Sequence, residues 1–154
     1  MRIKYLSLVI VSLGLIGCGQ KSNPNFTIMC EDDVQELHIS FDFGNMGVTE
    51  LKIPKPIYLD LLRKTAPERT KNNGETTLKF PITGYTDSYI KYGRTSFWDD
   101  ERNLIIDNTF NRASMNLAQS TGWYKEDGSL ADSAYPGDLG NPMTLNYSCE
   151  KPIA

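Results

Sequence analysis

Alternation of apolar and polar side chains is the feature that most constrains how this chain folds. Over residues 37–43, and again over 143–149, every second residue is apolar and the residues between are polar. This period of two is typical of a β-strand with one buried face and one face in water. Further strands are predicted at 26–30, 48–53, 76–80, 89–98, 104–107 and 113–117, with 108–112 as the turn between the last two. The sequence therefore predicts an all-β domain, either a small antiparallel β-barrel or a sandwich.

One segment fits both a helix and a strand. Ile57 and Leu61 have helical spacing and Pro56 suits the first turn of a helix, whereas Ile57 and Leu59 also match a strand. We favour one short helix near 56–65. The polar residues that follow, 65–75, are predicted to form a loop.

The N-terminal segment has the features of an export signal. Two basic residues, Arg2 and Lys4, precede an apolar stretch of 12 residues at 5–16. A membrane-spanning helix needs about 20 residues, so the stretch is too short to span. The motif that follows, Leu-Ile-Gly-Cys at 15–18, resembles a bacterial lipobox. An ordinary secretory signal with a chance cysteine is the alternative.

The lipobox resemblance implies a division of the chain and a location. Residues 1–17 would be a signal peptide removed before Cys18, which would carry diacylglycerol on its sulfur and a further acyl chain such as palmitate on its amine. Two or more acyl chains anchor a protein stably in a membrane. Residues 18–25 would form a flexible tether about 15 Å long, and 26–151 a single β-rich domain. Gly19, where an inner-membrane lipoprotein has Asp, implies the periplasmic face of the outer membrane.

The three cysteines fit the same interpretation. Lipid on Cys18 would leave Cys30 and Cys149 as a pair, 119 positions apart. The oxidising periplasm favours a disulfide between them, and two reduced buried cysteines are the alternative. The single histidine, His38, lacks the spacing of a metal site, so no metal is expected.

The charge balance and the absence of catalytic and cofactor motifs restrict the classes of function that the chain can have. The net charge is −3, and it becomes −5 without Arg2 and Lys4. An acidic balance argues against a nucleic-acid partner and allows a cationic protein partner. No catalytic motif or cofactor motif is present, and the acidic residues 99–101 are typical of a solvated turn. We therefore expect a non-enzymatic binding role without a cofactor.

The long connection at 121–142 allows two interpretations. It contains Trp123 and Tyr135 among many turn-forming residues. Loops of this length are often functional, and exposed aromatic side chains would anchor a partner. Alternatively, Asp127 and Gly128 form the turn of a hairpin and the aromatic side chains fold back onto the domain.

One motif carries a second resemblance. The sequence Ser-Tyr-Ile-Lys-Tyr at 88–92, followed by Phe-Trp at 97–98, is similar to the binding loop of membrane-bound inhibitors of c-type lysozyme. That family folds as a small antiparallel barrel. The resemblance implies that Ser88 and Lys91 enter the cleft of a cationic lysozyme and that Tyr92 shapes the loop. Tyr89 occupies the position where the family has Gly.

Three hypotheses of function follow. An inhibitor of lysozyme would present Ser88 and Lys91 on one exposed loop. A structural or envelope-assembly lipoprotein would expose an apolar patch near Trp123 and Tyr135. A carrier of a small apolar ligand would enclose an apolar cavity of several hundred Å3.

Overall fold

The fold is a closed antiparallel barrel of eight strands in sequential order. The computed structural model describes residues 23–132 and 141–150. Each strand pairs with the next, and β8 returns to β1. The strands are β1 (Phe26–Glu31), β2 (Gln35–Asp42), β3 (Gly47–Pro54), β4 (Thr76–Tyr85), β5 (Tyr89–Asp99), β6 (Arg102–Asn111), β7 (Asn116–Tyr124) and β8 (Met143–Cys149). The prediction of an all-β domain is confirmed, with a barrel rather than a sandwich.

Alternation along the strands places the apolar residues inside the barrel. In β2, Leu37, Ile39 and Phe41 are almost fully buried, and their neighbours face outward. Aromatic rings fill one half of the lumen: Phe41 lies 5.8 Å from Tyr92 and 5.7 Å from Phe110, measured between ring centroids. Eight strands leave an interior just wide enough for such side chains or one small ligand.

The two ends of the barrel differ in their connections. The lower end contains the start of β1 and the tight turns at 43–46, 86–88 and 112–115. The connections between β1 and β2, β3 and β4, and β5 and β6 lie at the upper end, and the one between β3 and β4 is helical. Among the described residues, no helix is long and apolar enough to span a membrane.

The connection between β3 and β4 begins with the expected helix. Helix α1 (Pro56–Thr65) has its proline in the first turn and two basic residues, Arg63 and Lys64, in the last turn, where they interact favourably with the helix dipole. The loop expected after it contains a 3-10 segment, Pro67–Gly74, interrupted by a kink at 71–73. Asn72 and Asn73 have positive φ angles there, a conformation that asparagine tolerates better than most residues.

Several predicted strand boundaries are wrong, and the strand expected at 113–117 is β7, at 116–124. The turn expected at 108–112 lies at 112–115, because β6 continues to Asn111. Asn108 is polar and is a residue type common in turns, which led to the prediction of a turn there. Its side chain instead faces the lumen and is buried. Strand β4, expected to end at Phe80, continues through Pro81 to Tyr85.

The connection after β7 begins as a hairpin folded onto the barrel. Tyr124 and Leu130 form a bridge, and Gly128 has a φ of 82° in the turn. Trp123 is only 4% exposed and packs edge-on against Trp98, with ring centroids 5.2 Å apart. The expectation that Trp123 is an exposed anchor is therefore wrong, and the folded-back alternative describes its position. Tyr135 lies outside the described residues.

A disulfide joins Cys30 and Cys149, as predicted. These residues face each other across β1 and β8, which close the barrel. The register of this seam also places Glu31 opposite Ser148, and the seam is the shortest pairing among the described strands. The covalent bond therefore lies where the hydrogen-bonded ladder is shortest.

Candidate functional site

Polar side chains occupy the upper half of the lumen, above the aromatic half. Strand β3 provides Glu50 and Lys52 on its inward face, continuing the alternation that buries Val48. Three further strands provide polar groups at the same inward face: Tyr92 from β5, Asn108 from β6, and Gln119 from β7. Glu50, Asn108 and Gln119 are the buried polar residues of the described chain. We call these five side chains the lumen cluster.

A chain of hydrogen bonds fixes the orientation of two amides in the cluster. Lys52 Nζ donates to Gln119 Oε1 over 3.3 Å, and Gln119 Nε2 donates to Asn108 Oδ1 over 2.9 Å. Because an ammonium group can only donate, Lys52 fixes the oxygen of Gln119, which in turn fixes the oxygen of Asn108. Asn108 Nδ2 is therefore the free donor at the end of this chain, with no partner among the described residues.

A second hydrogen bond holds the buried carboxyl of Glu50. The Tyr92 hydroxyl donates to Glu50 Oε1 over 2.7 Å, while Glu50 Oε2 has no partner among the described residues. Burial raises the pKa of Glu50, and the hydrogen bond from Tyr92, the charge of Lys52 and the nearby Gln119 amide oppose this rise. Burial and the Glu50 carboxyl also raise the pKa of Tyr92 well above its usual value. The pair therefore favours a protonated Tyr92 beside a carboxyl that ionises reluctantly.

A further hydrogen bond lies outside the cluster, between two strands that flank β1. Gln35 Nε2 donates to the Tyr147 hydroxyl over 2.8 Å, joining β2 to β8. Burial raises the pKa of Tyr147 to about 12. Tyr147 is thus a neutral hydroxyl that accepts a hydrogen bond at the level of the cluster.

The buried Glu50 makes stability depend on pH. Because its folded pKa is raised, its unfavourable contribution appears as pH rises from the usual 4.5 through the folded value. We expect Glu50→Gln to match the wild type in acid and to be more stable at neutral pH by on the order of 1 kcal/mol. Urea unfolding across pH measures this difference. Glu126→Gln, at an exposed turn, controls for the lost charge, and equal curves for Glu50→Gln and wild type would contradict the expectation.

A recess opens at the upper end, directly above the lumen cluster. It has a volume of about 510 Å3. Its floor comes from inward-facing barrel residues, Gln35, Lys52 and Leu78, and its wall comes from α1 and the 3-10 segment. Glu50 lies opposite Leu78 in the register of β3 and β4 and is one inward position below Lys52. The recess and the lumen cluster therefore meet at Lys52.

The lining of the recess is mixed. Apolar contacts come from Pro54, Tyr58, Leu62 and Leu78. Charged side chains add three cations and two carboxylates: Lys52, Arg69, Lys71, Glu68 and Glu75. Among the described residues, none of these five forms an ion pair. The recess can hold a small molecule with both a polar end and an apolar body.

This geometry changes the expectation for a carrier of an apolar ligand. Aromatic side chains fill the lower half of the lumen, and the upper half contains the polar cluster. The 510 Å3 recess has a polar floor. The recess is therefore a half-open mouth with a mixed lining rather than an enclosed apolar cavity.

The predicted lysozyme-binding residues occupy different environments. Ser88 is exposed in the β4–β5 turn, where its N–H donates to Thr86 Oγ1 over 3.2 Å. Lys91 is exposed on the outer face of β5, with its Nζ 5.5 Å from the centroid of the Tyr89 ring. The turn and the strand thus separate Ser88 and Lys91, which were expected on one loop. Tyr92 is 1% exposed inside the barrel, so its expected place in a partner-binding loop is wrong.

The remaining polar candidates lie in ordinary surface environments. His38 is half-exposed on β2, 3.7 Å from the carboxylate of Glu36. Asp99 accepts two hydrogen bonds from Arg102, which lower the pKa of Asp99. Within residues 23–132 and 141–150, no group of acidic, histidine or cysteine side chains is arranged to hold a metal. Cys18 lies outside the described residues.

The lumen cluster was missed in the sequence, although a signal for it exists. Glu50 and Lys52 continue the inward register of Val48, and Gln119 continues that of Leu117. A polar residue at an inward position of an alternating strand is the signal that would identify such a cluster. No protein-family model, curated protein or solved structure matches the chain.

Proposed function

We propose that this chain is a lipid-anchored lipoprotein of the cell envelope, on the periplasmic face of the outer membrane, with a non-enzymatic binding role. The binding site is the recess at the upper end of the barrel. The observation that carries the binding role is the meeting of a 510 Å3 recess with a buried cluster of incompletely paired polar groups, and the lipid anchor rests on the lipobox motif alone. Ligand sites commonly combine such a concave surface with a few oriented polar groups.

The lipid anchor is tested by Cys18→Ala in an expressing bacterium. We expect the wild type in the membrane fraction, with lipid on Cys18 and without residues 1–17, because acyl chains on Cys18 hold it there. Cys18→Ala should retain residues 1–17 and lack acyl chains. Mass spectrometry and fractionation measure both properties.

Cys30→Ala provides the matched control for the anchor, because it removes a cysteine from the barrel and leaves the lipobox intact. It should still carry lipid. A wild-type product with a free thiol at position 18 would contradict the anchor.

Inhibition of c-type lysozyme is a second candidate function. The exposed positions of Ser88 and Lys91, on a barrel of the architecture implied by the resemblance, favour it. We expect residues 23–154 to inhibit lysozyme and Lys91→Ala to weaken inhibition at least about tenfold, because a charge-assisted hydrogen bond is lost. Lys79→Ala, an exposed lysine on neighbouring β4, is the control. Full lysozyme activity at micromolar excess of the wild type rejects this candidate.

A further inference from the structure

We propose that the recess binds a small organic monocarboxylate, with the carboxylate on Lys52 and the apolar body against Tyr58, Leu62 and Leu78. This inference rests on the proposed function, which places the binding site in the recess, and it adds the chemical class of the ligand. Four properties of the lining favour an anion of this kind.

The first property is the charge of the lining. Lys52, Arg69 and Lys71 outnumber Glu68 and Glu75, so the recess carries one net positive charge. A single negative charge on the ligand would neutralise it, whereas a dianion would leave an excess. The lining therefore matches a monoanion.

The second property is the environment of Lys52. Its side chain is half-buried, and its ammonium group has three N–H donors but, among the described residues, one hydrogen bond, to the neutral Gln119 amide at 3.3 Å. The nearest carboxyl below it belongs to Glu50, whose pKa burial raises and the charge of Lys52 lowers. Lys52 thus has N–H donors left for a group in the recess, and a carboxylate supplies the acceptors.

The third property is the pair of unpartnered atoms in the layer below Lys52. Asn108 Nδ2 and Glu50 Oε2 have no partner among the described residues, whereas Glu50 Oε1 accepts from Tyr92. Both side chains are at least nine-tenths buried. Buried polar atoms normally have partners, so this layer has unused hydrogen-bonding capacity. Neither residue lines the recess, and a carboxylate on Lys52 would be linked to this layer through the hydrogen bonds from Lys52 to Gln119 and from Gln119 to Asn108.

The fourth property is the apolar wall. Tyr58 and Leu62 of α1, together with Leu78 of the floor, provide apolar lining of the recess. These side chains would remove the body of a ligand from water, at about 25 cal/mol per Å2 of apolar surface. A carboxylate without an apolar body, such as formate, would leave this wall unused.

The test compares phenylacetate, phenylacetamide and phenethylamine, which share one apolar body and differ in charge. The purified full chain is titrated with each probe, in lipid nanodiscs if it carries lipid and in buffer otherwise, and binding is followed by NMR. Empty nanodiscs correct for partitioning. We expect phenylacetate to bind roughly tenfold more tightly than phenylacetamide, and phenethylamine to bind most weakly.

The hydrogen-bond chain provides a readout at the site. An anion on Lys52 changes the bond from Lys52 to Gln119, so phenylacetate should shift the side-chain amide resonances of Gln119 and Asn108. The side-chain amide of Asn45, in a turn at the lower end, is the internal control. Shifts at Asn45 of the same size would mean non-specific binding and overturn the proposal.

Variants then assign the interaction to Lys52. Lys52→Met should weaken phenylacetate binding roughly tenfold and leave phenylacetamide binding unchanged, while Lys52→Arg should retain most of the affinity. Lys79→Met, on the outer face of β4, should change neither. If Lys52→Met fails to fold, the comparison of the three probes on the wild type still decides the question.

Three results would overturn the proposal. Equal binding of the three probes, or tighter binding of the amide or the amine, would retain the recess as a binding site and reject the carboxylate. Binding of phenylacetate that Lys52→Met leaves unchanged would place it elsewhere. Absence of any shift in the recess with any probe would reject the carboxylate and count against the recess as the binding site, while the lipid anchor stands or falls by its own test.

Discussion

Replacing Cys30 and Cys149 together by alanine is expected to lower the free energy of unfolding by about 4–5 kcal/mol. The disulfide closes a loop of 119 residues, and the chain-entropy model gives this value for a loop of that length. A domain of this size has a total stability of about 5–15 kcal/mol, so the loss would be a large part of it. Urea unfolding of residues 23–154, with and without the two substitutions, measures the change.

The position of the disulfide adds a second effect. The seam between β1 and β8 is the shortest pairing in the described barrel, and it is the contact through which the sheet closes. Without the covalent bond, we expect hydrogen exchange to accelerate first in β1 and β8. The wild type with a reducing agent is the matched control and should follow the double variant. An unfolding midpoint that is insensitive to both changes would contradict the prediction.

Gly93→Ala is expected to destabilise the barrel by at least about 3 kcal/mol. Gly93 is buried on β5, and an added Cβ would lie far inside van der Waals contact of the Ile106 carbonyl oxygen on β6. The Cβ would also be 3.2 Å from Asp107 Cα. Both obstacles are backbone atoms of a paired strand, so a side-chain rotation cannot relieve the overlap, and overpacking of this kind costs about 1–3 kcal/mol or more.

Gly84→Ala provides the control for Gly93→Ala. Gly84 lies on β4, at a register shift opposite β5, and an added Cβ there would have no atom within 4 Å. We expect a change within about 0.5 kcal/mol, typical of a surface substitution. Thermal and urea unfolding of the two variants compare the same chemical change in two environments. Equal effects of the two substitutions would mean that the approach of β5 to β6 is not tight in solution.

Several features of the fold could be predicted because they depend on local pattern. Period-two alternation identified the strands that carry Leu37, Ile39 and Phe41, and cysteine usage identified the disulfide. The helix that begins at Pro56 followed from one residue that suits a first turn. The strand and helix signals lie within a few positions of each other, and the disulfide followed from the number of cysteines, so none of them requires knowledge of which strands are neighbours.

The lumen cluster could not be predicted in the same way, because closure of the sheet creates it. Asn108 resembles a turn residue by type, yet β6 turns its side chain into the lumen, where it meets Gln119. Glu50 and Tyr92 are 42 positions apart and form a hydrogen bond only when β3 and β5 lie on the same closed sheet. Similarly, Trp123 has the residue type of an exposed anchor, and the position of β7 buries it.

The position at which the chain enters the barrel determines which end of the barrel lies nearer to an N-terminal anchor. Phe26, the first residue of β1, pairs with Phe41 near one end of β2, whereas Gln35 at the other end of that strand lines the recess. Strand spacing separates these two points by about 20 Å. A bilayer holding the chain upstream of Phe26 would therefore attach at the end of the barrel opposite the mouth, so that the anchor itself would leave the mouth uncovered.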